Sequence, residues 1–327
     1  MAFEPAYLAL HRSGELRERA EQLEAMLSAC DICPHNCHVD RLAGEIARCY
    51  CAHRPIVSAY CPHFGEEPGL VGTNGVGNIF FGNCNLRCVY CQNYEISQRW
   101  REERKNEVSF ERLAEMMLEL QANGCHAIGL VSPTHFAPQI VRSLLLAVEG
   151  GLRLPLIYNT NAYDALPVLR LLAGIVDIYL PDIKYADDMA GWVYSKVPRY
   201  VEHSRAAIAE MHRQVGSELV WENGLVRRGL IIRHLVLPND LADTEETLRW
   251  IRDTLGNDVT LSIMSQYYPT HKAEEILLLS RGIRQSEYDR VLRLLDKYGF
   301  EDGWVQDFTS QGYYRPNFSD RVQPFQK

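Results

Sequence analysis

From residue 76 onward the chain alternates short β-branched runs with amphipathic stretches of helical period, and that alternation limits the folds open to it. Apolar segments at 76–81, 127–131, 154–158, 175–180, 230–237 and 259–264 read as strands. Helices are expected from an N-cap at Ser109 to a stop at Gly124, and then over 138–148, 164–172, 199–214, 243–255 and 287–298. Asp243 followed by Glu246 has the form of a capping box. Strand-then-helix units in succession argue for an α/β fold with a parallel sheet and right-handed crossovers. The six units counted here are two short of a complete eight-unit barrel, so an open, partial (β/α)6 barrel is expected. A doubly wound sheet is the alternative, but no GxGxxG follows the first strand.

Residues 7–29 read as an amphipathic helix, and 30–75 are rich in Cys, His, Pro and Gly without long periodicity. Such a segment needs a metal or a neighbouring domain to hold it. The expected division is an N-terminal helix and Cys-rich accessory segment over 1–75, the barrel over 76–300, and a short polar, aromatic tail over 301–327. The mixed-charge stretch 99–107 reads as a solvated surface connection. A net charge of −8 gives no global attraction to nucleic acid or to an anionic membrane, and no basic stripe with interleaved aromatics stands out. The apolar runs fall far short of the roughly 20 residues that span a bilayer. No basic segment leads into an apolar one at the N-terminus, so a cytoplasmic protein is expected.

Ten cysteines without an export signal point to metal ligands or catalytic thiols rather than disulfides. Cys84, Cys88 and Cys91 form C-x3-C-x2-C within residues 82–93, directly after the first barrel strand. Active sites of parallel α/β proteins lie at that end of the strands. Three thiolates in one loop can hold three irons of a cubane cluster and leave the fourth open. From the residues alone, zinc completed by a distant ligand, or unbound thiols, are the alternatives.

The loop, with aromatic Tyr90 before its last cysteine, resembles the signature of the radical S-adenosylmethionine (SAM) superfamily. Residues from about 30 to 310 resemble the pyruvate formate-lyase activating enzyme-like family with an N-terminal cysteine segment. The likeness is carried by runs 63–68, 131–135, 158–161, 177–185, 233–238 and 264–267. The resemblance implies that SAM chelates the open iron of a [4Fe–4S] cluster through its amino and carboxylate groups. One electron then cleaves a carbon–sulfur bond, and the resulting 5′-deoxyadenosyl radical abstracts hydrogen from a substrate. Cys84, Cys88 and Cys91 would carry the catalytic cluster, and Tyr90 would lie against the cofactor. Many relatives bind the SAM amino group with a Gly-Gly-Glu run after the second strand, where this chain has Ser132-Pro133-Thr134-His135, so Thr134 would supply that contact. Asn159 and Asn161 resemble residues that meet the ribose hydroxyls. Asp182 and Lys184 resemble the Asp-x-Lys of glycyl-radical activating enzymes, with Lys184 pairing the SAM carboxylate. Arg233 shares an alternating face with Leu235 and Leu237 and would also meet that carboxylate. His135 and Gln266 are candidates for the substrate side.

Cys30, Cys33, Cys37 and Cys49 form C-x2-C-x3-C-x11-C and can build a closed tetrahedral site. Zinc, a second iron–sulfur cluster and no metal all stay open, because both metals accept four thiolates. Cys51, Cys61, His35, His38, His53 and His63 are alternative ligands. The expected function is radical SAM chemistry on a small molecule or peptide, with a flavodoxin or ferredoxin as electron donor. Two alternatives stand beside it: activation of a partner glycyl radical enzyme, and an iron–sulfur electron-transfer module without SAM cleavage.

Overall fold

The computed structural model of the chain describes residues 3–312, 315–318 and 320–325. Strands β1 (Val57–His63), β2 (Val76–Phe81), β3 (Ile128–Val131), β4 (Leu156–Thr160), β5 (Ile178–Pro181), β6 (Val220–Glu222), β7 (Leu225–Leu235), β8 (Thr260–Met264) and β9 (Gly303–Val305) form one sheet. Its order is β1-β2-β3-β4-β5-β7-β8-β9, with β6 paired to β7. From β2 to β9 the neighbours along this order are parallel, and β1 and β6 pair antiparallel. The protein therefore has an α/β fold with a mostly parallel sheet.

Helices Phe110–Ala122, Ala137–Glu149, Leu166–Leu171, Tyr200–Val215, Thr244–Leu255 and Gln285–Tyr298 connect the strands or follow them. The expected caps are in place: Ser109 accepts from the Arg112 amide, and Asp243 accepts from the Glu246 amide. The N-terminal helix is broken at Gly14, whose φ of 87° is left-handed, into Tyr7–Ser13 and Glu15–Ala25. The second piece packs on Ala137–Glu149.

The sheet extends beyond the span 76–300 at both ends. β1 comes from the Cys-rich segment and pairs along the whole of β2, and β9 comes from the tail and pairs with β8. β7 begins at Leu225, not 230, because Asn223 and Gly224 make a tight hairpin turn with φ of 54° and 76°. Asn-Gly is the preferred pair for such a turn.

One face of the sheet is apolar at the amino ends of the strands, where Val76, Ile157, Ile178 and Ile231 cluster with Leu70 and Val226. Two residues further along β2, β4 and β7 the same face turns polar, with Asn78, Asn159 and Arg233, whereas β5 keeps apolar Leu180 there. Gly129 has no room for a Cβ because the Asn78 amide fills that space. The tail packs back onto this region: Phe318 meets Phe80 edge-on, Phe325 lies tilted against it, and Arg321 pairs with Glu103 at 2.8 Å. Stretch 99–107 is thus only partly a solvated connection, since Glu103 is fully buried beneath that pair. Among the described residues no helix is long and apolar enough to cross a membrane.

Candidate active site at the cysteine loop

The loop that follows β2 is pinned from several sides. The Asn83 amide donates to Ile96 O at 2.7 Å, Arg87 to Ser195 O at 3.0 Å, and Val89 to Tyr194 O at 2.8 Å. Asn83 adopts a left-handed φ of 63°, which turns the chain out of the strand. Cys84 and Cys88 are buried and Cys91 is half-buried. Cys88 Sγ lies 3.0 Å from Ser195 Oγ, Cys91 Sγ lies 3.2 Å from Ser97 Oγ, and Cys84 Sγ accepts from Asn161 Nδ2 at 3.5 Å. Burial pushes the Cys88 thiol up to about 11 against the pull of Lys184, and it raises Cys84 and Cys91 as well.

All three thiols line one cleft of about 900 Å³, counted out to its open mouth. Ser132, Asn159, Asn161, Asp182, Lys184, Arg233 and Gln266 stand at successive strand ends around it. Lys184 Nζ is bonded to Asp182 Oδ2 at 2.6 Å. Burial alone would lower the lysine pKa, but Asp182 and the nearby Cys88 outweigh it and hold the ammonium charged. The Asn161 amide donates to Asn85 Oδ1 at 2.8 Å and so braces the cysteine loop. Asn159 lines the cleft. Gln266 accepts through its backbone carbonyl from Gln92 at 2.9 Å, and its side chain meets Gln306 at 3.0 Å. Tyr90 lines the cleft from a buried aromatic group, with its hydroxyl 2.5 Å from that of Tyr185, which in turn lies 2.8 Å from Ser195 Oγ.

Three expected contacts are redirected. Ser132 takes a left-handed φ of 56° directly after β3, so Ser132 itself reaches the rim. Thr134 turns into the interior, 3.1 Å from Thr160 Oγ1, and is absent from the cleft wall. His135 lies beside the N-terminal cysteines instead, with Nε2 3.0 Å from Gly82 O. Arg233 does enter the interior, but its charge is already met. Nε donates to Glu67 Oε1 at 2.7 Å, Nη2 donates to Glu67 Oε2 at 2.6 Å, and Nη2 also binds Glu66.

Glu66, Glu67, Asn78 and Ser195 were not singled out from sequence. Asn78 Nδ2 donates to Glu66 Oε1 at 2.6 Å. The Glu66 and Glu67 side chains line a second cavity of about 800 Å³ that shares Asn159, Arg233 and Gln266 with the first. Cys30, Cys33, Cys37, Cys49 and Cys51 ring a separate small cavity. Among the described residues no three His, Cys, Asp or Glu donors converge as they would on one ion. The thiols of a cubane each hold a different iron and need no common point.

At 30% identity, the uncharacterized protein MJ0674 of Methanocaldococcus jannaschii aligns over 86% of this chain and 79% of its own length. The uncharacterized protein MJ0808 of the same organism is 24% identical over 78% of this chain and 75% of its own. Among solved structures, the chain is similar to Streptococcus suis SuiB bound to precursor peptide SuiA, at 11% identity and a TM-score of 0.47, covering 70% of this chain. This chain spans about half of SuiB, 48% of its length. TYW1 with a lysine-pyruvate adduct bound is a further one, at 11% identity and a TM-score of 0.41, covering 67% of this chain and 73% of that one. The Radical SAM superfamily matches residues 78–251, a span that contains the cysteine loop and every strand end around the cleft from β2 to β7. Because that match runs over more than half of the chain, the protein belongs to the radical SAM superfamily.

Proposed function

We propose that the protein is an enzyme that cleaves SAM reductively at a [4Fe–4S] cluster held by Cys84, Cys88 and Cys91, and acts on a small molecule or peptide. The superfamily implies both the cluster and SAM. One observation carries the reading: all three thiols of the motif line a single cleft that also holds a half-buried lysine ion-paired to Asp182 at 2.6 Å. The residues suit both groups. Cys84 and Cys88 are buried and Cys91 half-buried, and Ser195 and Ser97 hydroxyls lie within hydrogen-bond reach of Cys88 and Cys91. When bound, the cluster and SAM supply a carbon-centred radical. The chain's own residues hold the reactants and exclude water. Lys184 offers its ammonium to the SAM carboxylate, and Asp182 holds that lysine in place. Asn159 and Ser132 offer hydrogen bonds to the ribose and amino groups. With Arg233 paired to two glutamates, it orients the inner wall instead of binding SAM. Gln266 stands on the substrate side, where the cleft runs on into the second cavity.

The parallel sheet with its polar inner face supports the partial-barrel reading, and the family of activating enzyme-like proteins remains the finer assignment. A second substrate reading, activation of a glycyl radical partner, is favoured by the Asp182–Lys184 pair at the cleft. A gene for a glycyl radical enzyme beside this one would support it. A flavodoxin or ferredoxin fits as electron donor. The primary reading is tested by electron paramagnetic resonance of the anaerobically reconstituted, reduced protein. A cluster signal that shifts when SAM is added is expected. A signal indifferent to saturating SAM would leave an electron-transfer module as the better account.

A further inference from the structure

Arg41 is 1% exposed, and among the described residues no carboxylate lies within ion-pair distance of it. Its guanidinium donates to Ala52 O from Nε at 3.2 Å and from Nη2 at 2.9 Å, and to His135 O at 2.8 Å. Carbonyl dipoles solvate the charge but do not neutralise it. A guanidinium stays charged in a protein, and an unpaired buried charge is strongly disfavoured. Among the described residues, the one side-chain hydrogen-bond acceptor that Arg41 meets is Cys30 Sγ, 3.9 Å from Nη1. Around the same cavity stand Cys33, Cys37, Cys49 and Cys51, with Arg48 as a second cation and, among the described residues, no carboxylate in the wall. The side chains around this arginine that can become anionic are those cysteines.

The local backbone is shaped toward that cavity. The Cys30 amide donates to Val39 O, and the His38 amide to Cys30 O, each at 2.9 Å, closing the loop that carries Cys33 and Cys37. Asn36 and His38, on either side of Cys37, are left-handed, and so is Tyr50 between Cys49 and Cys51.

We propose that Cys30, Cys33, Cys37 and Cys49 hold a second metal centre as four thiolates, and that Arg41 is its buried counter-ion. Each thiol releases its proton to solvent as its sulfur binds metal. A zinc ion or an oxidised [4Fe–4S] core each brings two positive charges against four negative sulfurs, so both give the anionic centre that Arg41 requires. The thiols ring the cavity without meeting at a point, so the loop draws inward on binding. Cys51 stays outside the ligand set. It donates to Cys49 O at 3.2 Å and accepts from Asn83 Nδ2 at 3.5 Å. Two further bonds tie the centre to the radical loop, His135 to Gly82 O at 3.0 Å and His35 to Asn85 O at 2.8 Å. The centre thereby buttresses the back of the loop that carries Cys84.

The test uses the full chain with Cys84, Cys88 and Cys91 changed to alanine, which removes the first centre and makes the outcome independent of the proposed activity. The protein is purified anaerobically from iron- and zinc-replete cells. It should retain about one zinc, or about four irons with matching sulfide, per chain, and X-ray absorption should show an all-sulfur shell. Zinc and iron are the two arms of the assay. Adding Cys30→Ser and Cys49→Ser should remove the metal, whereas Cys51→Ser should keep it. Arg41→Met should speed zinc loss to a chelator at least about tenfold, or move an iron centre's potential negative, with Arg41→Lys restoring the behaviour. A folded parent variant without metal, a nitrogen- or oxygen-containing shell, or metal that survives the Cys30/Cys49 change would overturn the assignment. If the Cys30/Cys49 variant does not fold, the absorption spectrum of the parent variant decides.

Discussion

Replacing Arg233 by methionine should leave two carboxylates buried without a cation. The side chains of Arg233, Glu66 and Glu67 are 11%, 7% and 5% exposed, so solvent screens little of their interaction. Removing one partner of such a group costs about 3–5 kcal/mol. The entropy of unfolding, about 2.1 cal/mol/K per residue, gives about 0.7 kcal/mol/K for a chain of 327 residues. A loss of about 4 kcal/mol then lowers the unfolding midpoint by about 6 °C. The deficit should also depend on pH. Burial acts to raise the Glu66 pKa, but Arg233, His63 and Asn78 together hold it down to about 2, below its ordinary 4.5. In the wild type that contribution is fully present above pH 4.5 and is lost only as the pH falls through about 2. Without Arg233, burial dominates and the Glu66 pKa rises, so the deficit should be greatest near neutral pH and shrink toward acid pH. Urea unfolding of the metal-free proteins under reducing, anaerobic conditions, followed by circular dichroism, measures it. Adding Glu66→Gln and Glu67→Gln to the variant should recover most of the loss. A deficit under about 1 kcal/mol at neutral pH, or one that does not change with pH, would refute the reasoning.

Three other outcomes are expected. Lys184→Met should weaken SAM binding to the reconstituted protein by about 10- to 100-fold, read by equilibrium dialysis; unchanged affinity would remove Lys184 from the site. Asp177, raised by burial to about 7 while accepting from the Ala6 and Leu156 amides, contributes stability that is fully present below its ordinary 3.8 and lost as the pH rises through about 7. Asp177→Asn should flatten that part of the pH–stability curve in a urea titration, and parallel curves for the two proteins would count against it. Gly129→Ala should displace Asn78 from Glu66 and cost about 1–3 kcal/mol by the same denaturation assay; a neutral change would show that the wall yields freely.

The parts of the fold that were legible in the sequence are those set by local pattern. The strand at 76–81 and the caps at Ser109 and Asp243 rest on residues close together in the chain. β1 escaped notice because its cysteine, proline and histidine interrupt the β-branched signal, and its partner β2 supplies the pairing. The β6–β7 hairpin had a readable sign in Asn223-Gly224, which was overlooked. At the site, the cysteine spacing pointed to the loop after β2 and the Asp-x-Lys resemblance pointed to Asp182 and Lys184, and these residues line one cleft. Alternation along β7 puts the Arg233 side chain on the inner face, but its partners are not legible in the sequence, because Glu66 and Glu67 lie 167 and 166 residues away. Ser132 and Thr134 exchange places through one left-handed residue, a backbone choice that serine does not advertise.

The central claim is that Cys84, Cys88 and Cys91 support reductive cleavage of SAM. Its most direct test is 5′-deoxyadenosine formation under anaerobic conditions, with SAM and a strong reductant, by the reconstituted protein and by its Cys84→Ala, Cys88→Ala, Cys91→Ala variant. The account predicts product from the wild type and none from the variant. A wild type that carries its cluster and binds SAM yet forms no product with any reductant, or a variant that forms as much as the wild type, would contradict it.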